Sequence, residues 1–217
     1  MEPEAAIYEE MTLTEISSAA DPYGLTVLGA FHEEGQTLVL LGPNEPAFWS
    51  VFTQSPEYLE KNEAPMDRWS TRVIGGLAQR FGAEALFPFG GPPYHPFIGW
   101  ALKSGRAWQS PVGLLVHDTA GLFVSYRGAL LIPQRLELSP TSSSPCEKCS
   151  ERPCLSACPA AALGKDGYDV PTCHAHLDTA GADCLSSGCI VRRACPTGQN
   201  NRLPSQSAFH MRAFHKG

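Results

Sequence analysis

The first 145 residues of this 217-residue chain contain no cysteine, and all eight cysteines lie between Cys146 and Cys195. A chain of this length can bury about 70% of its unfolded surface, so its fold does not require disulfide bonds. Secreted disulfide-rich proteins distribute cysteines over the whole framework, whereas metal modules concentrate them. The distribution therefore favours a metal or cluster module in the last third of the chain.

Long apolar segments are also missing. No run approaches the ~20 apolar residues that cross a bilayer. Residues 1–4 carry acidic side chains instead of the basic and apolar regions of a secretory signal. We therefore expect a cytoplasmic protein without membrane association, in which thiols stay reduced and available as ligands.

Basic residues are scarce at the start of the chain. Residues 1–64 contain 12 acidic residues and only Lys61 as a base, a net charge of -11, so residues 65–217 carry +5 to give the total of -6. The basic residues form no group with interleaved aromatic residues, so nucleic-acid binding is not expected. The acidic segment is either a solvated face or a surface for a basic partner.

A Ser/Pro-rich stretch over residues 138–145 immediately precedes the first cysteine and predicts a linker. We place a domain boundary there. Residues 1–140 would form a cysteine-free domain that could hold a cofactor or a partner. Residues 141–217 would form the cysteine module with a C-terminal tail.

Short β-rich runs alternate with helical patterns before this boundary. Leu25–Phe31 and Thr37–Leu41 predict a hairpin. Apolar residues recur every four positions from Trp69 to Phe81 and predict a helix. The runs 112–116 and 122–132 flank a turn and predict a second hairpin. The chain is therefore expected to be α+β, with an N-terminal domain of α/β layers.

The cysteines form two groups of four. Their spacings are Cys146-x2-Cys149-x4-Cys154-x3-Cys158-Pro159 and Cys173-x10-Cys184-x4-Cys189-x5-Cys195-Pro196. Each group ends in Cys-Pro and thus resembles the bacterial two-cluster ferredoxins, in which the fourth cysteine of each run ligates the other cluster. The resemblance implies a ferredoxin-like domain with two [4Fe-4S] clusters as cofactors.

The ferredoxin crossover would divide the cysteines between the clusters in a particular way. One cluster would be held by Cys146, Cys149, Cys154 and Cys195. The other would be held by Cys158, Cys173, Cys184 and Cys189. The gaps are longer than in the reference pattern C-x2-C-x2-C-x3-C-P, above all in the second group.

Zinc, disulfides and a Rieske centre are the alternatives for the cysteine module. Zinc sites usually contain two C-x2-C pairs, and only Cys146 and Cys149 form one. A Rieske centre could use His174 or His176, but it needs a second Cys/His box that the sequence lacks. The two histidines are therefore expected to be hydrogen-bond donors near a cluster, or surface residues.

The segments before the cysteine module resemble those of epoxyqueuosine reductases and the related reductive dehalogenases. The segments are Trp100–Gly105, Gly113–His117 and Gly121–Leu130, and the resemblance covers roughly residues 65–200. It implies a cobalamin-binding domain of nitroreductase-like fold joined to a two-cluster ferredoxin domain. Cobalamin is therefore a further candidate cofactor.

The resemblance also suggests site residues. Those enzymes carry a catalytic Asp before the Trp100-like helix, whereas this chain has a Pro-rich loop without a carboxylate. The dehalogenases use a Tyr as proton donor, so Tyr94 and His95 are candidate catalytic residues, unless both merely pack the loop. Tyr126 and Arg127 could contact an anionic or corrinoid ligand, although an Arg at a strand end more often forms a surface ion pair.

Three functions are compatible with these patterns. The first is an electron carrier that passes electrons through the two clusters to a redox partner protein. The second is an oxidoreductase in which the clusters feed a corrinoid or other cofactor, and a small-molecule substrate is reduced. The third is a metal-stabilised interaction protein without redox chemistry.

Overall fold

The computed structural model describes residues 11–138, 140–165, 167–179, 181–199 and 202–216. These residues form a mixed α+β structure with small antiparallel sheets. None of the described helices is long and apolar enough to span a membrane.

The part of the chain that precedes the cysteines contains helices on both sides of one main sheet. Its elements are, in order, α1 (Leu13–Ala20), β1 (Leu25–Glu33), β2 (Gln36–Pro43), α2 (Ala47–Thr53), α3 (Pro56–Leu59), α4 (Pro65–Phe81), β3 (Glu84–Leu86), α5 (Phe97–Lys103), β4 (Ala107–Gln109), β5 (Leu115–His117) and β6 (Gly128–Ile132).

The main sheet has the strand order β1-β2-β6-β3, and all its pairs are antiparallel. The predicted first hairpin is confirmed, since β1 and β2 pair from Leu25↔Pro43 to Glu33↔Gln36. Residues 38–41 of β2 are all buried, because the sheet is covered on both faces. Alternate residues therefore enter two different apolar cores.

Helix α4 covers one face of this sheet and confirms the predicted periodicity. Its buried residues Trp69, Val73 and Leu77 pack in the same core as Val39 and Leu41 of β2. The opposite face packs against α5, through Phe97 and Ala101.

The predicted second hairpin is wrong. Strand β5 pairs with β4, and β6 pairs with β2 and β3. The segment 122–127 between β5 and β6 is irregular, although its residues Leu122 to Val124 are buried. A continuous apolar run without alternation indicates burial but does not specify strand pairing. Leu122 is buried because it packs against the cysteine module.

The cysteine module is made of short elements. They are two 3₁₀ turns (Pro145–Glu147 and Pro153–Leu155), β7 (Leu163–Gly164), β8 (Gly167–Tyr168), α6 (Val170–Leu177), α7 (Asp183–Ser187), α8 (Ile190–Arg193) and α9 (Pro204–Lys216).

The two parts of the chain pack closely against each other. One buried core contains Val116 and Leu122 from before the predicted boundary and Cys154, Val191 and Cys195 from after it. Helix α9 also returns to the N-terminal part, where Phe209 lies 5.4 Å from the Trp49 ring and 5.9 Å from the Phe52 ring, measured between centroids. Residues on both sides of the boundary thus share apolar cores.

Candidate metal centres and an adjacent cavity

Four cysteines line one cavity, which we call the first cysteine cavity. They are Cys146, Cys149, Cys154 and Cys195. Cys146 lies in the first 3₁₀ turn and Cys149 two residues after it. Cys154 lies in the second 3₁₀ turn, and Cys195 follows α8. Pro196 lines the same cavity.

The other four cysteines line a separate cavity, the second cysteine cavity. They are Cys158, Cys173, Cys184 and Cys189. Cys173 lies in α6, Cys184 lies in α7, and Cys189 immediately precedes α8. Pro159, next to Cys158, lines the same cavity.

The structure therefore brings the cysteines together in the two sets that the ferredoxin crossover predicts. Each set combines three cysteines of one sequence group with the Cys-Pro cysteine of the other. All eight are free thiols. Among the described residues, no three His, Cys, Asp or Glu side chains converge closely enough to hold a single metal ion.

Burial raises the pKa of four of these thiols and makes them difficult to ionise without a cation, namely Cys146, Cys154, Cys173 and Cys184. It raises the pKa of Cys154, and the nearby Cys146 and Cys195 raise that pKa further. Burial likewise raises the pKa of Cys173, with a further contribution from Cys158 across the second cavity. Metal ligands must be thiolates, so a bound positive centre would relieve both effects. An all-thiol donor set around each cavity fits an iron–sulfur cluster.

A close backbone contact positions Cys195. The turn that ends at Gly121 packs against the loop after Cys195, so that a Cβ atom on Gly121 would lie 1.9 Å from the carbonyl oxygen of Thr197 and 3.3 Å from Cys195 Sγ. Gly121 has a φ of +56°. Only glycine fits this position without strain.

Polar side chains surround the second cysteine cavity. The Tyr168 hydroxyl donates a hydrogen bond to Cys173 Sγ over 3.4 Å. His176 lines the cavity, and its Nε2 is buried without a partner among the described residues. His174 instead packs edge-on against Phe214, with 4.6 Å between ring centroids.

A third cavity, of about 280 Å³, lies beside the second cysteine cavity and also borders Cys189 and Tyr168. We call it the arginine cavity, because three guanidinium groups line it. They belong to Arg127, Arg192 and Arg202, which come from three separate segments of the chain. It extends between the irregular segment before β6 and helix α9.

The three arginines differ in their partners. Arg202 Nε lies 3.1 Å from Glu45 Oε1, and Arg202 Nη2 donates to Ser125 Oγ over 3.2 Å. Arg192 donates to the backbone carbonyl of Leu122. Arg127 Nε is buried and has no hydrogen-bond partner within the described part of the chain.

The protonation states in this cavity follow from burial. Desolvation lowers the pKa of Arg202 to about 10, so this arginine stays charged at neutral pH. Burial and the three nearby arginines lower the pKa of His210 to about 3, so its imidazole is neutral. The positive charge of the cavity therefore resides on the guanidinium groups.

The structure separates the four other candidate site residues. Arg127 lines the arginine cavity, whereas Tyr126 is buried in the core on the α5 side of the sheet, where its hydroxyl has no partner among the described residues. Tyr94 is 65% exposed. His95 is exposed as well, and its ring lies 5.4 Å from that of Trp100. Neither Tyr94 nor His95 lines the arginine cavity.

Sequence reasoning missed most of the polar lining of this cavity. Arg192, Arg202 and His210 belong to no local motif, and neither does Glu45, which pairs with Arg202 without lining the cavity. Arg192 gave the one available signal, because it lies between two cysteines of the predicted ligand set. The other three become neighbours only through the packing of α9 against the N-terminal part.

No known protein family, curated protein or solved structure matches this chain. The resemblance to epoxyqueuosine reductases thus stays a prediction, as does cluster binding.

Proposed function

We propose that this chain transfers electrons through two [4Fe-4S] clusters. The observation that carries the proposal is the division of the eight cysteines into two cavities with four thiols each. This division supports the crossover of two-cluster ferredoxins and, with it, a ferredoxin-like module in residues 141–217. When bound, each cluster would supply a one-electron redox couple.

The residues around the thiols are suited to this role. Val116, Leu122 and Val191 are almost fully buried in the same core as Cys154 and Cys195 and limit the access of water to these two thiols. Tyr168 stabilises negative charge on Cys173 through its hydrogen bond. Solvent exclusion and hydrogen bonds to sulfur are the features by which a protein tunes the potential of a cluster.

Electrons would be exchanged with a redox partner protein. The partner could approach the acidic N-terminal part, where Glu34, Glu60 and Glu63 are exposed. We place the protein in the cytoplasm, since reduced thiols are available there for cluster assembly.

A reductase is the second candidate, and the arginine cavity favours it. This cavity borders Cys189 of the second ligand set, so a molecule bound in it would lie beside the proposed cluster. The resemblance to epoxyqueuosine reductases would make the residues before the module a nitroreductase-like domain and the bound molecule a cobalamin. Pockets for drug-sized ligands measure about 300–1,000 Å³. The cavity of about 280 Å³ would therefore have to widen for a corrinoid.

Metal and cofactor analysis of the anaerobically purified full chain tests these alternatives. Electron transfer predicts iron and acid-labile sulfide in equal amounts, at about four of each per cluster, and a brown colour that bleaches on reduction. A corrinoid-dependent reductase would in addition change the spectrum of added cobalamin. Stoichiometric zinc without sulfide would overturn both and would favour the metal-stabilised interaction protein.

A variant series identifies the ligands in the same assay. Each Cys→Ala change in either ligand set should remove about half of the iron. Ser150→Ala provides the control, because Ser150 lies between Cys149 and Cys154 in the sequence but lines neither cysteine cavity. Iron that persists in all the cysteine variants would contradict the proposed sites.

A further inference from the structure

The arginine cavity is lined by three guanidinium groups, and among the described residues only that of Arg202 has a carboxylate within salt-bridge distance. Three guanidinium groups face two carboxylates, since Glu45 pairs with Arg202 and Asp67 lies close enough to Arg127 to influence its ionisation. The neutral His210 adds no charge. An anion bound in the cavity would supply a partner for Arg127, which has no hydrogen-bonded carboxylate among the described residues.

Unsatisfied polar atoms in the cavity also indicate a bound molecule. Arg127 Nε and His210 Nε2 are both buried without hydrogen-bond partners among the described residues. Buried polar groups in native proteins nearly always have partners, and an unpaired buried charge is strongly destabilising. The guanidinium and the imidazole line the same cavity, so one bound molecule could satisfy both.

The remaining lining is apolar. Phe123, Val124, Met211 and Phe214 provide hydrophobic surface, and Ser125 provides a hydroxyl. This combination fits a molecule with one charged end and one apolar body. A guanidinium binds phosphate and carboxylate groups through two parallel hydrogen bonds, which suits both groups equally.

We propose that the arginine cavity binds a small organic anion, whose phosphate or carboxylate group contacts Arg127 and whose apolar body packs on the Phe123 and Phe214 side. The volume of about 280 Å³ limits the ligand to a small molecule with few rings. This binding site goes beyond the proposed electron transfer, because anion binding requires no redox step.

Calorimetric titration of the anaerobically purified full chain tests the proposal with three probes: phenyl phosphate, benzoate and neutral phenol. We expect phenyl phosphate or benzoate to bind at least about tenfold more tightly than phenol, since charged hydrogen bonds dominate the interaction. The tighter of the two anions identifies the charged group. Inorganic phosphate should bind more weakly than phenyl phosphate because it lacks the apolar body.

Arg127→Met should weaken anion binding at least about tenfold. Arg135→Met is the matched control, because Arg135 is exposed and does not line the cavity, and this variant should bind like the wild type. If Arg127→Met does not fold, Arg127→Lys replaces it. That variant keeps the charge but loses the two-pronged geometry, and it should also bind less tightly.

Three results would overturn the proposal: equal binding of phenol and both anions, no binding of either anion, or unchanged anion affinity in the folded Arg127 variants. Iron and sulfide content is measured on the same samples. Absent anion binding with normal iron content would overturn the anion site alone, whereas absent iron with intact anion binding would overturn the proposed electron transfer alone.

Discussion

The Tyr168 hydroxyl donates a hydrogen bond to the sulfur of Cys173 over 3.4 Å, from strand β8 to helix α6. A donor to a ligand sulfur stabilises the more negative, reduced state and raises the reduction potential. We therefore expect Tyr168→Phe to lower the potential of one cluster by some tens of mV, on the order of one hydrogen bond. A redox titration followed by electron paramagnetic resonance measures this shift.

The substitution preserves the other contact of this ring, since Tyr168 stacks on Phe214 with 6.0 Å between centroids. Tyr94→Phe is the matched control, because Tyr94 is 65% exposed and lines neither cysteine cavity. Its potentials should equal those of the wild type. Unchanged potentials in Tyr168→Phe would show that this hydrogen bond has no influence on a cluster.

The crossover of ligands can be tested with double variants. Cys146 and Cys195 line the same cavity, so their combined replacement by Ala should remove one cluster and leave about half of the iron. Cys146 and Cys158 line different cavities, so their combined replacement should remove nearly all the iron.

Iron analysis of the purified variants distinguishes the crossover from a sequential arrangement. Without the crossover, Cys146 and Cys158 would belong to one cluster, and the pair Cys146 and Cys195 to two. The two double variants would then exchange their iron contents. The comparison uses equal numbers of substitutions, so general destabilisation affects both variants.

Local patterns in the sequence predict the elements whose contacts are themselves local. The hairpin from Leu25 to Leu41 and the α4 periodicity both arise within one continuous segment, and the structure contains both. The spacing of the two-cluster ferredoxins predicts two sets of four cysteines, and each set lines one cavity. The turn between two apolar runs predicts the wrong partner for strand β5. This strand pairs with β4, which precedes it in the chain.

The arginine cavity could not be predicted from local patterns, because its residues come from separate segments of the chain. Arg127, Arg192 and Arg202 meet only after α9 has folded back, and each alone resembles an ordinary surface arginine in the sequence. The sequence points to Arg127 only through the resemblance to epoxyqueuosine reductases and reductive dehalogenases. Its unpaired Nε becomes visible only when burial and hydrogen bonds are known together.

An ion pair between α3 and α4 predicts a pH dependence of stability. Arg72 donates two hydrogen bonds to Glu57, over 2.5 and 2.9 Å, and thereby lowers the pKa of this carboxyl from 4.5 to about 2. The stabilisation is therefore complete above pH 4.5 and is lost as the pH falls towards 2. Arg72 is half exposed and its charge is screened by solvent, so we expect a contribution of about 1 kcal/mol to the unfolding free energy.

Urea unfolding of the wild type and of Glu57→Gln over this pH range measures the contribution. The difference in unfolding free energy between the two proteins should shrink as the pH falls, because protonation of Glu57 removes the charge that the Gln substitution also removes. Glu60→Gln is the control: the Glu60–Arg68 pair is exposed and should contribute little. A difference that is constant with pH would contradict the assignment.

Gly121 links the N-terminal part to the first cysteine cavity through backbone packing. Any Cβ there would meet the carbonyl oxygen of Thr197 at 1.9 Å, so Gly121→Ala must displace the loop that carries Cys195. We expect this variant to lose up to about half of its iron, since one ligand of one cluster moves.

Gly113→Ala separates this effect from backbone strain, because Gly113 has a φ of +77° but nothing within 4 Å of its Cβ position. That control should lose only about 1 kcal/mol of unfolding free energy and should retain its iron. Equal iron contents in the two variants would mean that the contact between Gly121 and Thr197 does not position Cys195.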